Sequence, residues 1–160
     1  MAKLYFKYGA MGSSKSAQAL MTKFNYEEKD RKVWLIKPSI DTRDGSDTVY
    51  SRIGLSAKAQ VISPQDDIYE MFGEKCRDAD VVISDESQFF TEDQIDQLRR
   101  IVDECDIPVL CFGLRTDFLT HLKYIVINQI MTSNNKSPSV TLSVPAHGLP
   151  ATLRQVDRRG

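Results

Sequence analysis

Apolar residues follow two alternating rhythms as far as residue 117, short runs and stripes of helical spacing. Leu4 to Tyr8 reads as a strand that delivers a small-residue loop, "YGAMGSSKS" at residues 8–16. Beyond the loop Ala17, Leu20, Met21 and Phe24 recur at helical spacing, which puts Lys15 and Ser16 at a helix N-terminus. Val33 to Ile36 predicts a second short strand. Ser63-Pro64 predicts an N-cap and first helical residue, with Ile68, Met71 and Phe72 on one face. Val81 to Ile83 predicts a third strand running into Asp85-Glu86. Thr91 and Gln94 spell a capping box for a helix buried along Ile95, Leu98, Ile101 and Val102, and Pro108 to Phe112 predicts the next strand. This alternation predicts an α/β fold, a mostly parallel sheet flanked by helices, with ligands at the C-terminal ends of the strands. The loop after Tyr8, the Asp85-Glu86 pair and residues 113–118 all fall at such ends.

The remainder has a different character. Of the 22 acidic residues 21 lie within residues 1–117, and residues 118–156 contain none. "MTSNNKSPSVTLSVPAHGLP" has no convincing helical or alternating pattern and predicts an irregular C-terminal tail. The chain's 160 residues suit one domain with a sizeable core. A net charge of −1 gives no electrostatic reason to expect nucleic acid or a membrane as partner. The three cysteines, an odd number without close pairing, and an opening without a long apolar core lead us to expect a cytoplasmic protein.

The loop nearly spells a phosphate-binding motif: Gly9, Lys15 and Ser16 are in register, with Ser14 where a second glycine is usual. A helix N-terminus attracts phosphate through unpaired N–H groups and partial positive charge. Lys15 adds a full charge for the β- and γ-phosphates, and the Ser16 hydroxyl suits Mg²⁺. Read alone, the loop is equally a Gly/Ser-rich turn between strand and helix. Asp85 at a strand end supplies the carboxylate that a nucleotide-bound Mg²⁺ needs, and Glu86, expected on the opposite face by strand alternation, is placed to take a proton from a hydroxyl. The plain alternative is a solvated acidic turn.

"YGAMGSSKS", "IDTRDG", "SRIGLS", "DESQFF" and "CFGLRTDF" occur in that order, and together they closely resemble the cytosolic, bacterial-like type II thymidine kinases. The resemblance covers roughly residues 1–122. It implies a RecA-like P-loop domain that transfers the γ-phosphate of Mg-ATP to the 5′-hydroxyl of thymidine, with deoxyuridine as a second acceptor. It implies that Gly9, Ala10, Met11, Gly12, Ser13, Ser14, Lys15 and Ser16 form the triphosphate loop, that Glu86 is the general base, and that Asp85 and Ser16 stand on the magnesium side. Ser87, Gln88, Asp41, Arg43 and Arg52 match polar positions on the ATP side. Met11, Phe89, Leu114 and Phe118 match residues around the nucleoside base. The family is typically tetrameric, so a homo-oligomer is expected. Without the resemblance, the phenylalanines would be read as core and the arginines as solvated surface.

Beyond residue 122 the resemblance breaks. The family usually continues with a small zinc-binding module whose first half reads Cys-x-Cys-Gly-Arg-Lys-Ala-Thr. Here the nearest stretch is "PAHGLPAT", residues 145–152, with Pro145 and His147 in the two cysteine positions. Proline cannot ligate zinc, and one histidine does not make the four-coordinate site zinc prefers. We therefore expect residues 123–160 to be a truncated, divergent tail in place of the zinc module and of the loop that closes over thymidine. Two other classes stay open on sequence: a degenerate P-loop protein that binds ATP with little turnover, and a P-loop ATPase acting on macromolecules. The second is disfavoured by the absence of a basic, aromatic-laced pattern.

Overall fold

A computed structural model describes residues 2–9, 15–39, 47–114 and 140–143. Strands β1 (Leu4–Gly9), β2 (Val33–Pro38), β5 (Gln60–Ile62), β6 (Val81–Ser84), β7 (Val109–Leu114) and β8 (Val140–Ser143) form one sheet in the order β5-β2-β6-β7-β1-β8. Every pairing in it is parallel. Helices α1 (Lys15–Glu28), α2 (Ile68–Lys75) and α3 (Glu92–Cys105) cover it, and β3 (Thr48–Tyr50) and β4 (Ser56–Lys58) make a separate antiparallel hairpin. The expected α/β architecture, a mostly parallel sheet flanked by helices, is the one found.

Alternation along the strands explains how both faces are filled. Leu4, Phe6, Trp34, Ile36, Val82, Val109 and Cys111 point to one side and pack with Ile68 and Phe72 of α2 and Ile95, Leu98, Ile101 and Val102 of α3. The intervening Leu35, Val81, Ile83, Leu110 and Phe112 point to the other, against Ala19 and Leu20 of α1 and Val49 of the hairpin. A strand buried on both faces must be apolar at every position, which is why these read as continuous runs. Met21, predicted on the buried stripe of α1, is instead 45% exposed; Ala17, Ala19 and Leu20 carry the contact.

Local signals account for most boundaries. Both halves of the Thr91/Gln94 capping box form: the Thr91 hydroxyl accepts from Gln94 N–H and the Gln94 carboxamide oxygen accepts from Thr91 N–H, each at 3.1 Å. The helix expected to begin at Ser63-Pro64 begins later, capped by Asp67, whose carboxylate accepts from Glu70 N–H at 3.0 Å. Ser63 and Asp66 close a turn on each other instead, and their carbonyls accept from the Gln94 amide at 2.7 and 3.2 Å. Those carbonyls are thus held by α3, away from the axis of α2. "SRIGLS" is the turn of the β3–β4 hairpin, where Gly54 takes φ of 90°, a conformation that favours glycine.

One expectation about the tail is corrected. Val140–Ser143, inside the stretch read as irregular, runs as a strand parallel to β1, with Leu4 opposite Val140 and Lys7 opposite Ser143. The open edge of β1 offers a ladder of N–H and C=O groups, and four residues suffice to satisfy it.

Candidate functional site

The first and third predicted strands, β1 and β6, are not neighbours: β7 lies between them. Helix α1 crosses back over the sheet and closes that separation. Its second residue, Ser16, donates its hydroxyl to Asp85 Oδ2 at 2.8 Å. Asp85 sits one step past β6 on the face shared with Ile83 and α1, its own N–H donating to the Ile36 carbonyl at 3.1 Å. It is 4% exposed. A carboxylate that deep persists only with donors around it, and Ser16 is one.

Glu86 departs from the expected alternation. It adopts the left-handed conformation, φ 50° and ψ 37°, and ends the strand. Left-handed backbone is uncommon for a residue with a side chain and gathers at functional sites. A tight 3-10 turn, Ser87–Phe89, follows at once. The result is that both acids lie within electrostatic reach of Lys15. Burial lowers the pKa of the Lys15 ammonium, and the charges of Glu86 and then Asp85 oppose that lowering. A lysine, a hydroxyl and two carboxylates thus meet at the C-terminal end of the sheet.

The residues after the acids act as support. Gln88, 6% exposed, donates its amide to Glu86 Oε2 at 2.5 Å. The Ser87 hydroxyl is buried and bonds Ser84, its side chain and its carbonyl. Behind them Cys111 is fully buried; desolvation pushes its thiol up to about 11, partly offset by hydrogen bonds with Ser84 and Ser87. Phe89 stands 37% exposed beside Glu86, while Phe90 turns into the α2/α3 core.

Other expected site residues are less gathered. Leu114 ends β7 in register with Gly9, the last residue of β1, so these two backbones adjoin. Arg52 is exposed on the hairpin turn and has no hydrogen bond or ion pair with a described residue. Ala10, Met11, Gly12, Ser13, Ser14, Asp41, Arg43, Phe118, Pro145 and His147 lie outside the described residues.

Sequence reasoning overlooked Lys37, which is 3% exposed at the end of β2 and donates to the Thr48 carbonyl at 3.0 Å, fastening the hairpin to the sheet. The available signal was a lysine closing an otherwise apolar strand, "VWLIK". It also overlooked the buried Ser84–Ser87–Cys111 group behind the acids. Among the described residues, no helix is long and apolar enough to cross a membrane, and no three His, Cys, Asp or Glu side chains cluster as a metal cage.

Comparison with known proteins places the sequence among relatives. A sequence model of the thymidine kinase family matches residues 2–141. The thymidine kinase of Enterobacteria phage T4 is 45% identical over 120 residues, spanning 74% of this chain and 62% of that protein. That of Ruegeria pomeroyi is 42% identical over 120 residues, 74% of this chain and 61% of that protein. That of Enterococcus faecalis is 41% identical over 131 residues, 79% and 68% respectively. The chain therefore spans about three fifths of the length of the first two curated relatives. Among solved structures it is similar to the N-terminal domain of the DNA packaging ATPase of bacteriophage phi29, with a TM-score of 0.47, 10% identity and 90% of each chain covered.

Proposed function

This chain belongs to the thymidine kinase family, and on that footing we propose that it transfers the γ-phosphoryl group of ATP to the 5′-hydroxyl of thymidine, with deoxyuridine as an alternative acceptor. The observation that carries the proposal is the 2.8 Å hydrogen bond from Ser16 to Asp85, which joins the phosphate-loop helix to the acid-tipped strand. In this reading residues 9–16 cradle the triphosphate and Lys15 bears on its β- and γ-phosphates. The Ser16 hydroxyl and Asp85 carboxylate are hard oxygen donors, the kind Mg²⁺ prefers, and would hold the nucleotide's metal directly or through water. When bound, that ion neutralises phosphate charge.

Phosphoryl transfer then needs positioning and a proton acceptor more than covalent help. The 5′-oxygen bonds to the γ-phosphorus as the bond from that phosphorus to the β–γ bridging oxygen breaks. The hydroxyl proton passes to Glu86 and ADP departs. Phe89, exposed next to Glu86, offers a flat apolar face to the pyrimidine, a role the reading extends to Met11, Leu114 and Phe118. Asp41, Arg43 and Arg52 enter it as phosphate-side groups. The homo-oligomer typical of the family is part of the same proposal.

The test is incubation of the chain with thymidine and Mg-ATP and chromatographic detection of thymidine monophosphate. Formation of product that stops in Lys15→Ala supports the reading, and a chain that makes none overturns it. Glu86→Gln is expected to retain ATP binding and to lose roughly a hundredfold or more in turnover, the scale of a lost general base. Turnover at the wild-type rate in that variant would remove Glu86 from its role.

A further inference from the structure

Glu86 owes its direction to two unusual features, left-handed backbone and the buried amide held against it. The first turns the side chain out of the strand's alternation toward Lys15. It does not fix the side chain, because a glutamate keeps three rotatable bonds beyond its Cα. Gln88, two residues on and 6% exposed, places Nε2 2.5 Å from Glu86 Oε2. The short 3-10 turn makes this possible by doubling the chain back within two residues, with Phe89 N–H bonded to the Glu86 carbonyl at 3.1 Å and Phe90 N–H to the Ser87 carbonyl at 3.2 Å. The turn is braced from beneath by the Ser84–Ser87 contact.

We infer that Gln88 is a positioning residue for Glu86: its amide holds one carboxylate oxygen so that the other is presented to the substrate hydroxyl. The inference deepens the kinase reading and rests on it for its kinetic consequence. An amide is suited to the task. It donates one hydrogen bond without adding charge, so the carboxylate is oriented while remaining a usable base. A lysine or arginine there would pair with the acid and make it a poorer proton acceptor. A carboxylate misplaced by about an ångström loses up to about a hundredfold in rate.

Two measurements test it. The first needs no turnover: the Gln88 side-chain NH₂ resonances are followed by NMR in wild type and in Glu86→Ala, which removes the acceptor. One proton is expected to be downfield and slow to exchange in wild type, moving toward the free-amide position in the variant. Resonances unchanged between the two would overturn the hold. The second is a kinetic cycle of Gln88→Leu, Glu86→Gln and the double variant, with ATP affinity measured by calorimetry.

Gln88→Leu is expected to lower kcat about ten- to a hundredfold while leaving the KM for thymidine within about twofold. In the Glu86→Gln background it is expected to cost less than twofold, because a residue that acts through another has no further effect once that one is gone. Equal losses in both backgrounds would overturn the inference. Should Gln88→Leu fail to fold, Gln88→Asn, which keeps the amide but falls short of Glu86, takes its place under the same expectations. Absence of thymidine phosphorylation in wild type would sink the kinase reading, and the NMR comparison would still decide whether Gln88 holds Glu86.

Discussion

Replacing Ser16 by alanine removes one hydroxyl from the point where the helix and the acid-tipped strand meet. A hydrogen bond to a charged acceptor contributes about 1.5–3 kcal/mol. Asp85 retains other partners, so the lower end applies, about 1.5 kcal/mol. Alanine is the better helix former by about 0.5 kcal/mol, and residue 16 lies in the first turn of α1. The net loss expected is therefore about 1 kcal/mol, or a melting midpoint lower by about 2–4 °C at this chain length. Urea unfolding followed by circular dichroism measures it.

A double-mutant cycle with Asp85→Ala separates the two contributions, because helix propensity cancels and the pair term remains. The expected coupling is about 1.5 kcal/mol. The same titrations with Mg-ATP at a hundred times its dissociation constant should stabilise wild type by about 2.7 kcal/mol, and Ser16→Ala by less. A coupling below about 0.5 kcal/mol would refute the reasoning, since hydroxyl and carboxylate would then be neighbours without being partners.

Three further outcomes are expected. The buried Cys111 thiol has its pKa raised from 9.0 to about 11, so its contribution is intact below pH 9 and lost as the unfolded thiol ionises while the folded one does not, about 3 kcal/mol by pH 11; urea midpoints at pH 8 and pH 10.5 should diverge less in Cys111→Ala than in wild type. Thr91→Ala should cost about 1 kcal/mol as the cap of α3 is lost, and Gln94→Leu should cost more, because that amide also holds the Ser63 and Asp66 carbonyls; thermal melts rank the two. Leu98→Ala, in a fully buried site, should destabilise by about 2–5 kcal/mol, whereas Met21→Ala on the exposed side of α1 should stay within about 0.5 kcal/mol; both are read by urea unfolding.

Much of this fold was legible because its central strands are buried on both faces. Such strands are apolar almost throughout, so β2, β6 and β7 stood out as runs, while β1, whose Tyr5 and Lys7 are half-buried, showed as an alternation, and the Thr91/Gln94 pair announced α3 with its own chemistry. The elements that escaped are short and owe their form to what they pack against. β3, β4 and β5 have three residues each, too few for a period to declare itself. β8 exists as a strand beside β1, a relation no local window contains. The start of α2 was misread because Ser63-Pro64 carries a sound capping signal, which lost to the reach of Gln94 from another helix.

At the site, Lys15, Ser16 and Asp85 were readable from their places at strand and helix ends. The conformation of Glu86 was not, because nothing in "DESQFF" distinguishes a continuing strand from one that turns left-handed at its second residue.

The sheet order gives β7 an unexpected task. In the proposed kinase reading the phosphate loop leaves β1 and the acids leave β6, so the gap between them is two inter-strand spacings, about 9.6 Å. β7 fills that gap and is its ruler: Cys111 pairs with Phe6 on one side and with Ser84 on the other. A bulge or slip in it would move cradle and carboxylates out of step along the strand direction while leaving every reacting group intact. If that reading holds, substitutions in "VLCFGL" act as alignment errors, felt in rate before they are felt in affinity.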